Sequence, residues 1–215
     1  MKNNGMSRAR KPETHGIRNP TAATLSQTNN ETHKCARIAV IGNAGGGKST
    51  MCTKLGATLG LEVYPLDLLQ WKPGGIPTPL DEFTEKHNEL IRKDHWIIDG
   101  WGSWESIELR FAAADTIILI DHGLPVHYWW LFKRQAPHII LPRLSFAEKR
   151  LLLLETWKLG KAMWQVHWHE RQKLIKVLDS HREVKRIIQI GSPEELNQFI
   201  ASVCSLPQSQ LPEIA

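Results

Sequence analysis

Residues 42–50 read Gly42-Asn43-Ala44-Gly45-Gly46-Gly47-Lys48-Ser49-Thr50. This segment fits the pattern G-x-x-x-x-G-K-[ST] of a phosphate-binding loop (P-loop). The glycines allow a tight turn in which several backbone N–H groups point at one anion, an approach that bulky side chains would obstruct. In such a loop the lysine reaches the outer phosphates of a nucleoside triphosphate, and the serine hydroxyl is a ligand for Mg²⁺. The segment therefore predicts an ATP-binding site.

The residues on either side of the loop have the composition that this motif requires. Arg37-Ile38-Ala39-Val40-Ile41 is a short apolar run with β-branched residues, which indicates a buried strand. The residues from Ser49 to Leu59 contain no proline and are typical of a helix. A strand, a glycine-rich loop and a helix in this order favour a phosphate site over the alternative, a glycine-rich turn that binds nothing.

The chain has the length and composition of one globular domain with two tails. It has 215 residues, of which 41% are hydrophobic and 23% charged, and its net charge of +5 suits an anionic ligand. Residues 1–34 are polar and contain almost no large apolar side chains. We predict a disordered N-terminal tail over residues 1–34, one domain over residues 35–205, and a flexible tail over residues 206–215.

The cysteines and the hydropathy pattern predict where the protein works. Cys35, Cys52 and Cys204 form no C-x-x-C pair, which is typical of free thiols in a reducing compartment. No apolar run approaches the roughly 18 residues that span a membrane, and the first residues lack the apolar core of a signal peptide. We therefore expect a cytoplasmic protein with no membrane partner.

Apolar runs alternate with helical patterns along the chain. This alternation predicts an α/β fold, a three-layer sandwich in which a five-stranded parallel sheet has helices on both faces. The predicted strands cover residues 37–41, 61–66, 96–99, 116–121 and 184–190. A long helical region from Phe146 to about Ser180 is expected to bend or break at Gly160. Pro137 and Pro142 bracket a short irregular segment where a short helical lid is expected.

Polar side chains follow several of the predicted strands. Asp67 comes after the second strand, Asp99 ends the third and Asp121 ends the fourth. The carboxyl ends of parallel strands meet at one edge of a sheet, where ligands of such sheets bind. We therefore expect these aspartates to lie near the phosphate-binding loop.

The loop and these strand ends resemble those of the adenylate-kinase-like P-loop kinases, and most closely those of the bacterial group known as DNA topology modulation proteins. The resemblance covers roughly residues 36 to 200 and is specific up to the fourth strand. It rests on residues 38–42 running into the loop, Leu66-Asp67-Leu68-Leu69-Gln70-Trp71-Lys72-Pro73-Gly74, Trp96-Ile97-Ile98-Asp99-Gly100, Leu109-Arg110 and Ala114-Asp115-Thr116-Ile117-Ile118. It implies a P-loop kinase-like domain that transfers the γ-phosphoryl group of ATP, with Mg²⁺, to a nucleotide or other small acceptor.

The resemblance also implies roles for individual residues. Asp99 matches the aspartate that helps to hold Mg²⁺ with Ser49, although an aspartate capping the next turn is an alternative, and Asp121 is a rival for the metal. The lid of such kinases carries arginines that stabilise the charge on the moving phosphoryl group. The sequence offers Arg134 and Arg143 as catalytic residues beside Lys48. The residues implied for the acceptor side are Asp67, Trp71, Trp101 and Arg110.

The chain departs from the family pattern after Asp99. Relatives often carry an arginine there that clamps the acceptor phosphate, whereas this chain reads Gly100-Trp101-Gly102-Ser103-Trp104-Glu105. A nucleoside monophosphate acceptor is therefore in doubt. The aromatic pair Trp101 and Trp104 suits a flatter or less charged acceptor, and core packing is the alternative.

The chain contains nine tryptophans, most of them between Trp96 and Trp168. Interleaved with basic residues, they suggest stacking with single-stranded nucleic acid. Their core-like spacing favours instead a place in the core or in a pocket wall. Three functions follow: a small kinase, a nucleotide-binding regulatory module without acceptor chemistry, and a nucleic-acid-associated ATPase. We prefer the kinase, with ATP and an unidentified small molecule as partners and nucleic acid disfavoured.

Overall fold

The computed structural model describes residues 36–140 and 145–205. The predicted tails, and Arg143 of the predicted lid, lie outside these residues. The strands are β1 (Arg37–Gly42), β2 (Val63–Pro65), β3 (Trp71–Lys72), β4 (Ile76–Pro77), β5 (Trp96–Asp99), β6 (Thr116–Ile120) and β7 (Arg186–Ile190). The helices are α1 (Lys48–Leu59), α2 (Asp67–Gln70), α3 (Leu80–Ile91), α4 (Trp104–Ala113), α5 (Leu124–Ile140), α6 (Phe146–Gln165), α7 (Arg171–Asp179) and α8 (Pro193–Cys204), with a π-helical turn at Val166–Glu170.

The predicted five-stranded parallel sheet is confirmed, in the order β2-β5-β1-β6-β7. Alternate residues of the central strand β1 point to opposite faces. Ile38 and Val40 join a core that includes residues of α1 and α8, whereas Ala39 and Ile41 join a second core that includes residues of α3, α4 and α7. This arrangement gives helices on both faces and a central strand that is buried on each side.

Two details of the sequence interpretation are wrong. The helix α6 continues through Gly160, whose carbonyl oxygen accepts a hydrogen bond of 3.1 Å from the Tyr128 hydroxyl of α5. The irregularity occurs instead in the π-helical turn at Val166–Glu170, which contains neither glycine nor proline. In addition, α5 runs through Pro137 to Ile140, so the described part of the predicted lid before residue 141 is helical.

The tryptophans are less buried than their spacing predicts. Trp96 is fully buried in the second core. However, five others are more than half exposed: Trp71, Trp129, Trp157, Trp164 and Trp168. The expectation of a core position is wrong for these five, whereas Trp157 and Trp164 line an open groove between α5 and α6.

No helix within the described residues is long and apolar enough to cross a membrane.

A buried histidine on α3 predicts acid sensitivity of the fold. His87 has no exposed surface and stacks on Phe83, and burial lowers its pKa from 6.5 to about 4. Because the unfolded chain then binds more protons than the folded one, His87 costs stability as the pH falls from 6.5 towards 4. Between pH 7 and pH 5, the free energy of unfolding should fall by about 2 kcal/mol less in His87→Leu than in the wild type. Urea unfolding at each pH measures this difference.

The exposed His138 on α5 provides the control. His138→Gln should keep the pH dependence of the wild type. An identical pH dependence in the wild type and in His87→Leu would show that His87 is not the acid-sensitive group.

Candidate active site

The phosphate-binding loop leaves the carboxyl end of β1 and enters α1, as its sequence context predicts. Gly45 and Gly47 have positive φ angles of 68° and 79°. A side chain at Gly47 would also meet the ring of Trp130 at 2.9 Å, and one at Gly42 would lie 2.3 Å from the Ile120 carbonyl oxygen. Glycine is therefore required here by backbone conformation and by close packing.

Lys48 lies partly buried at the start of α1 and bends back over its own loop. Its Nζ donates a hydrogen bond of 2.8 Å to the Asn43 carbonyl oxygen. Burial lowers the pKa of Lys48, and the negative charges of Asp99 and Asp67 act in the opposite direction. The ammonium group is thus held within the loop, where a phosphate oxygen of a ligand can replace the carbonyl as its acceptor.

Ser49 and Asp99 form a direct contact between α1 and β5. The Ser49 hydroxyl donates to Asp99 Oδ2 at 2.8 Å. Asp99 is 5% exposed, and its other carboxylate oxygen, Oδ1, is buried with no hydrogen-bond partner among the described residues. Burial raises the pKa of Asp99, and the adjacent Lys48 cation opposes that rise. An unpartnered carboxylate oxygen beside a hydroxyl is a donor set that suits a hard cation such as Mg²⁺.

Asp121, the rival for the metal, is already paired. Arg171 of α7 donates to both of its carboxylate oxygens at 2.6 Å, and Gln189 of β7 donates to Oδ2 at 2.8 Å. The hydrogen bonds with Asp121 raise the pKa of Arg171. The end of β6 is therefore joined to α7 by a bidentate ion pair.

Arg110, predicted on the acceptor side, has no exposed surface. Its guanidinium donates to the carbonyl oxygens of Gly100 and Trp101 at 2.9 and 3.1 Å. Burial lowers its pKa to about 10, so it remains charged at neutral pH. In this position it fixes the turn that follows β5 and acts on any ligand through Trp101, because its own nitrogens are covered.

The remaining residues predicted for the acceptor side lie at the ends of β2 and β5 and on the β3–β4 hairpin. Asp67 begins α2 with an exposed side chain, and its charge acts on both Lys48 and Asp99. Trp71 lies on the β3–β4 hairpin and is 54% exposed. Trp101 meets Trp104 edge to face, with 5.8 Å between ring centroids. The structure thus brings Asp67 close to Lys48 of the phosphate-binding loop and leaves the ring of Trp71 exposed.

Two residues that sequence reasoning missed hold Trp104 in place. Its indole nitrogen donates to Glu170 of the π-helical turn at 2.9 Å, and the Lys173 ammonium lies 3.9 Å from the ring centroid. No local sequence signal marks either residue, since both come from a segment more than 60 positions away in the chain. The π-helical turn is the feature that directs Glu170 towards Trp104.

A second missed set fastens the phosphate-binding loop to α5 and α6. His127 Nδ1 lies 2.8 Å from the Ala44 carbonyl oxygen. Burial lowers the pKa of His127 to about 4, so the ring is neutral and donates through this nitrogen. The buried Asn43 amide donates to the Met163 carbonyl oxygen at 2.8 Å. Both contacts hold the loop from the side of the long helices.

The lid residues are incompletely placed. Arg134 lies on the exposed side of α5, and Arg143 falls outside the described residues. Within the described residues, no three histidine, cysteine, aspartate or glutamate side chains converge as a metal-binding group. Ser49 and Asp99 are the two predicted metal residues that the structure brings into contact, and they could hold a metal ion whose other ligands come from a nucleotide and water.

No protein-family model and no curated protein matches the chain. Among solved structures, it is similar to a gluconokinase from Sinorhizobium meliloti 1021, at 14% identity and a TM-score of 0.46, over 80% of this chain and 90% of that one. It is also similar to a shikimate kinase from Aquifex aeolicus vf5, at 18% identity and a TM-score of 0.41, over 78% and 92% of the two chains. A third similar structure is a sugar kinase from Janibacter sp. HTCC2649, at 14% identity and a TM-score of 0.42, over 78% and 88%.

Similarity at this level does not carry an activity from those proteins to this chain. The resemblance to the DNA topology modulation group stays a prediction. The protein has an α/β fold with a five-stranded parallel sheet and a glycine-rich loop between β1 and α1.

Proposed function

We propose that the protein is a small phosphotransferase that moves the γ-phosphoryl group of ATP to a hydroxyl group of a small acceptor. The observation that carries this proposal is the cluster of Lys48, Ser49 and Asp99 at the mouth of the phosphate-binding loop. These three groups lie in hydrogen-bonded positions on two adjacent elements, α1 and β5.

On the donor side, the backbone N–H groups of residues 42–50 and the positive end of α1 bind the phosphates. Lys48 exchanges its contact with the Asn43 carbonyl for a phosphate oxygen of ATP. Ser49 and Asp99 would hold Mg²⁺, which neutralises charge on the phosphate oxygens when it is bound. The hydrogen bonds from Asn43 and His127 keep the loop in one conformation before ATP arrives.

On the acceptor side, Asp67 is an exposed carboxylate whose charge acts on Lys48 and Asp99. In the proposed reaction, Asp67 receives the proton of the acceptor hydroxyl. The acceptor oxygen then forms its bond to the γ-phosphorus while the bond to the β–γ bridging oxygen breaks, and ADP leaves. Trp71 and Trp101 supply apolar faces against which a ring or carbon chain of the acceptor packs.

The class of acceptor is inferred from the lack of an accessible basic side chain in the segment after Asp99. The segment Gly100–Glu105 contains no cation, and Arg110 is covered by the turn that it supports. A monophosphate acceptor has no clamp in this region. We therefore propose an acceptor that offers a hydroxyl group without a phosphate, such as a polyol or a hydroxycarboxylate.

One observation favours a second candidate, a nucleotide-binding regulatory module without acceptor chemistry. Arg110 is used to support a turn, and Arg171 is paired with Asp121. Neither cation is free to stabilise a moving phosphoryl group. This alternative accounts for the donor site but leaves the exposed carboxylate of Asp67 without a role.

A screen for acceptor-dependent ADP release tests both candidates. The screen compares nucleoside monophosphates, polyols and hydroxycarboxylates, with Mg²⁺ and ATP present throughout. We expect at least one compound without phosphate to raise ADP release about tenfold or more above acceptor-free hydrolysis, because positioning alone contributes factors of this size and larger. Asp67→Asn should remove that increase and leave ATP affinity unchanged. ATP binding with no response to any acceptor would establish the regulatory module instead, and stimulation by single- or double-stranded nucleic acid would establish an ATPase of that class.

A further inference from the structure

The helices α5 and α6 carry an unusually apolar exposed surface. We call it the hairpin surface and define it by Trp129, Phe132, Leu153, Leu154, Trp157 and Trp164, which are between 45% and 65% exposed. Within it, Phe132, Leu153, Trp157 and Trp164 line an open groove of about 610 Å³ between the two helices. Monomeric proteins rarely expose contiguous apolar side chains on this scale without a binding role.

Basic side chains outnumber acidic ones on the two helices that carry the hairpin surface, although Lys158 pairs with Glu155 at 2.8 Å. The described residues 124–140 and 145–165 contain six basic side chains, Lys133, Arg134, Lys149, Arg150, Lys158 and Lys161, and two acidic ones, Glu148 and Glu155. The excess of four positive charges on these two helices is nearly as large as the net charge of the whole chain, which is +5. The surface therefore complements a partner that is both apolar and negatively charged.

The orientation of the rings argues against single-stranded nucleic acid as that partner. Bases bind such surfaces by stacking on open aromatic faces. Here Lys133 lies over the ring of Trp129 at 5.6 Å and Lys161 over that of Trp157 at 5.7 Å. Trp164 packs against Trp168, with ring centroids 5.7 Å apart. Each of these indoles already has a neighbour that competes for its ring surface.

The aliphatic members of the surface argue in the same direction. Leu153 and Leu154 provide no face for stacking, although they expose about half of their area. Exposed leucine, phenylalanine and tryptophan beside lysine and arginine are the composition of a helix that lies in a membrane interface. In that setting the apolar side chains enter the boundary between headgroups and acyl chains, and the long basic side chains extend to the headgroups.

We propose that the hairpin surface docks the protein peripherally on an anionic lipid bilayer. Phe132, Trp157 and Trp164 enter the interface, and Lys158 and Lys161 contact the negatively charged headgroups. This proposal departs from the expectation, drawn from the sequence, of a protein with no membrane partner. It does not depend on the proposed phosphotransfer, since none of these side chains belongs to the Lys48–Ser49–Asp99 cluster.

Sedimentation with lipid vesicles tests the proposal on the full-length chain. One set of vesicles is phosphatidylcholine alone, and the other contains about one-third phosphatidylglycerol, a composition that gives a negative surface potential. We expect binding to be about tenfold or more tighter to the anionic vesicles, with a blue shift of tryptophan emission. High salt should reverse most of that difference, because it screens the headgroup charges.

Two variants locate the binding surface. The double variant Trp157→Ser, Trp164→Ser removes two exposed indoles, and Lys158→Glu, Lys161→Glu reverses two charges. Each should weaken binding to the anionic vesicles about tenfold or more. Losing one buried apolar side chain, or two charges at the membrane surface, lowers the binding free energy enough for a change of that size. Matched controls are Trp71→Ser, an equally exposed indole on β3, and Lys54→Glu on the exposed side of α1. Both should bind as the wild type does, and circular dichroism checks that each variant is folded.

Three outcomes would overturn the proposal. Equal binding to neutral and anionic vesicles, or none to either, would remove the anionic bilayer as the partner. Binding of a fluorescent single-stranded oligonucleotide that both double variants lose would assign the surface to nucleic acid. A concentration-dependent dimer in sedimentation velocity that the tryptophan variant abolishes would show that a second copy covers the surface.

Discussion

Replacing Lys48 by alanine is expected to weaken ATP binding by about 100-fold or more. In the proposed site the ammonium group is the cation that contacts the phosphates, and truncating one partner of a desolvated, hydrogen-bonded charge pair has effects of this size. In the absence of ATP its hydrogen-bond partner is the Asn43 carbonyl, so the loss falls mainly on the bound state. Titration calorimetry with an ATP analogue measures the change.

Lys54→Ala is the matched control, because Lys54 lies on the same helix with its side chain exposed. It should bind the analogue with the affinity of the wild type. Unchanged affinity in Lys48→Ala would show that the phosphate site has been assigned to the wrong residues.

Replacing Asp99 by asparagine is expected to lower the affinity of the nucleotide complex for Mg²⁺ by at least about 10- to 100-fold, the loss that follows when a residue that only supports the ligands of a metal is changed. ADP release should fall by about 100-fold, the usual scale for losing one preorganised charged group in an active site. The hydrogen bond with Ser49 can persist, because an asparagine oxygen still accepts it. Binding of the nucleotide without metal should therefore change little, and a Mg²⁺ titration of ADP release separates the two effects.

Asp121→Asn is the informative comparison, since Asp121 ends the neighbouring strand and was the rival for the metal. Its carboxylate is paired with Arg171, whose side chain is 38% exposed. The variant should lose about 1 kcal/mol of stability, the upper range for a partly exposed pair, and keep its Mg²⁺ dependence. The reverse result, with Mg²⁺ dependence lost in Asp121→Asn and kept in Asp99→Asn, would assign the metal to Asp121.

The sheet and the phosphate-binding loop could be predicted because the sequence patterns that mark them are local. Buried parallel strands are short apolar runs, and the run before Gly42 precedes a motif whose glycines are demanded by backbone conformation. Asp99 and Asp121 follow such runs directly. Their meeting at one edge of the sheet is then a consequence of parallel topology.

The acceptor side was less predictable because its contacts are not local. Arg110 belongs to a helix whose apolar pattern does not reveal that the arginine turns inward under Gly100 and Trp101. The exposed indoles of Trp157 and Trp164 have the spacing of core residues, and periodicity alone does not say which face of a helix is covered. The pairing of Arg171 with Asp121 likewise depends on where α7 packs against the sheet.

The hydrogen bond between Asn43 and Met163 also sets an order of events during synthesis. The two residues are 120 positions apart, and a ribosome adds about 5–20 residues per second, so roughly ten seconds separate their appearance. The strand β1 must itself wait for β5 and β6, which flank it in the sheet. The nascent chain therefore exposes the apolar residues of β1 until β5 and β6 have been made, and chaperones have access to them during that interval. The loop that follows β1 is thus made well before the α6 residue that it contacts.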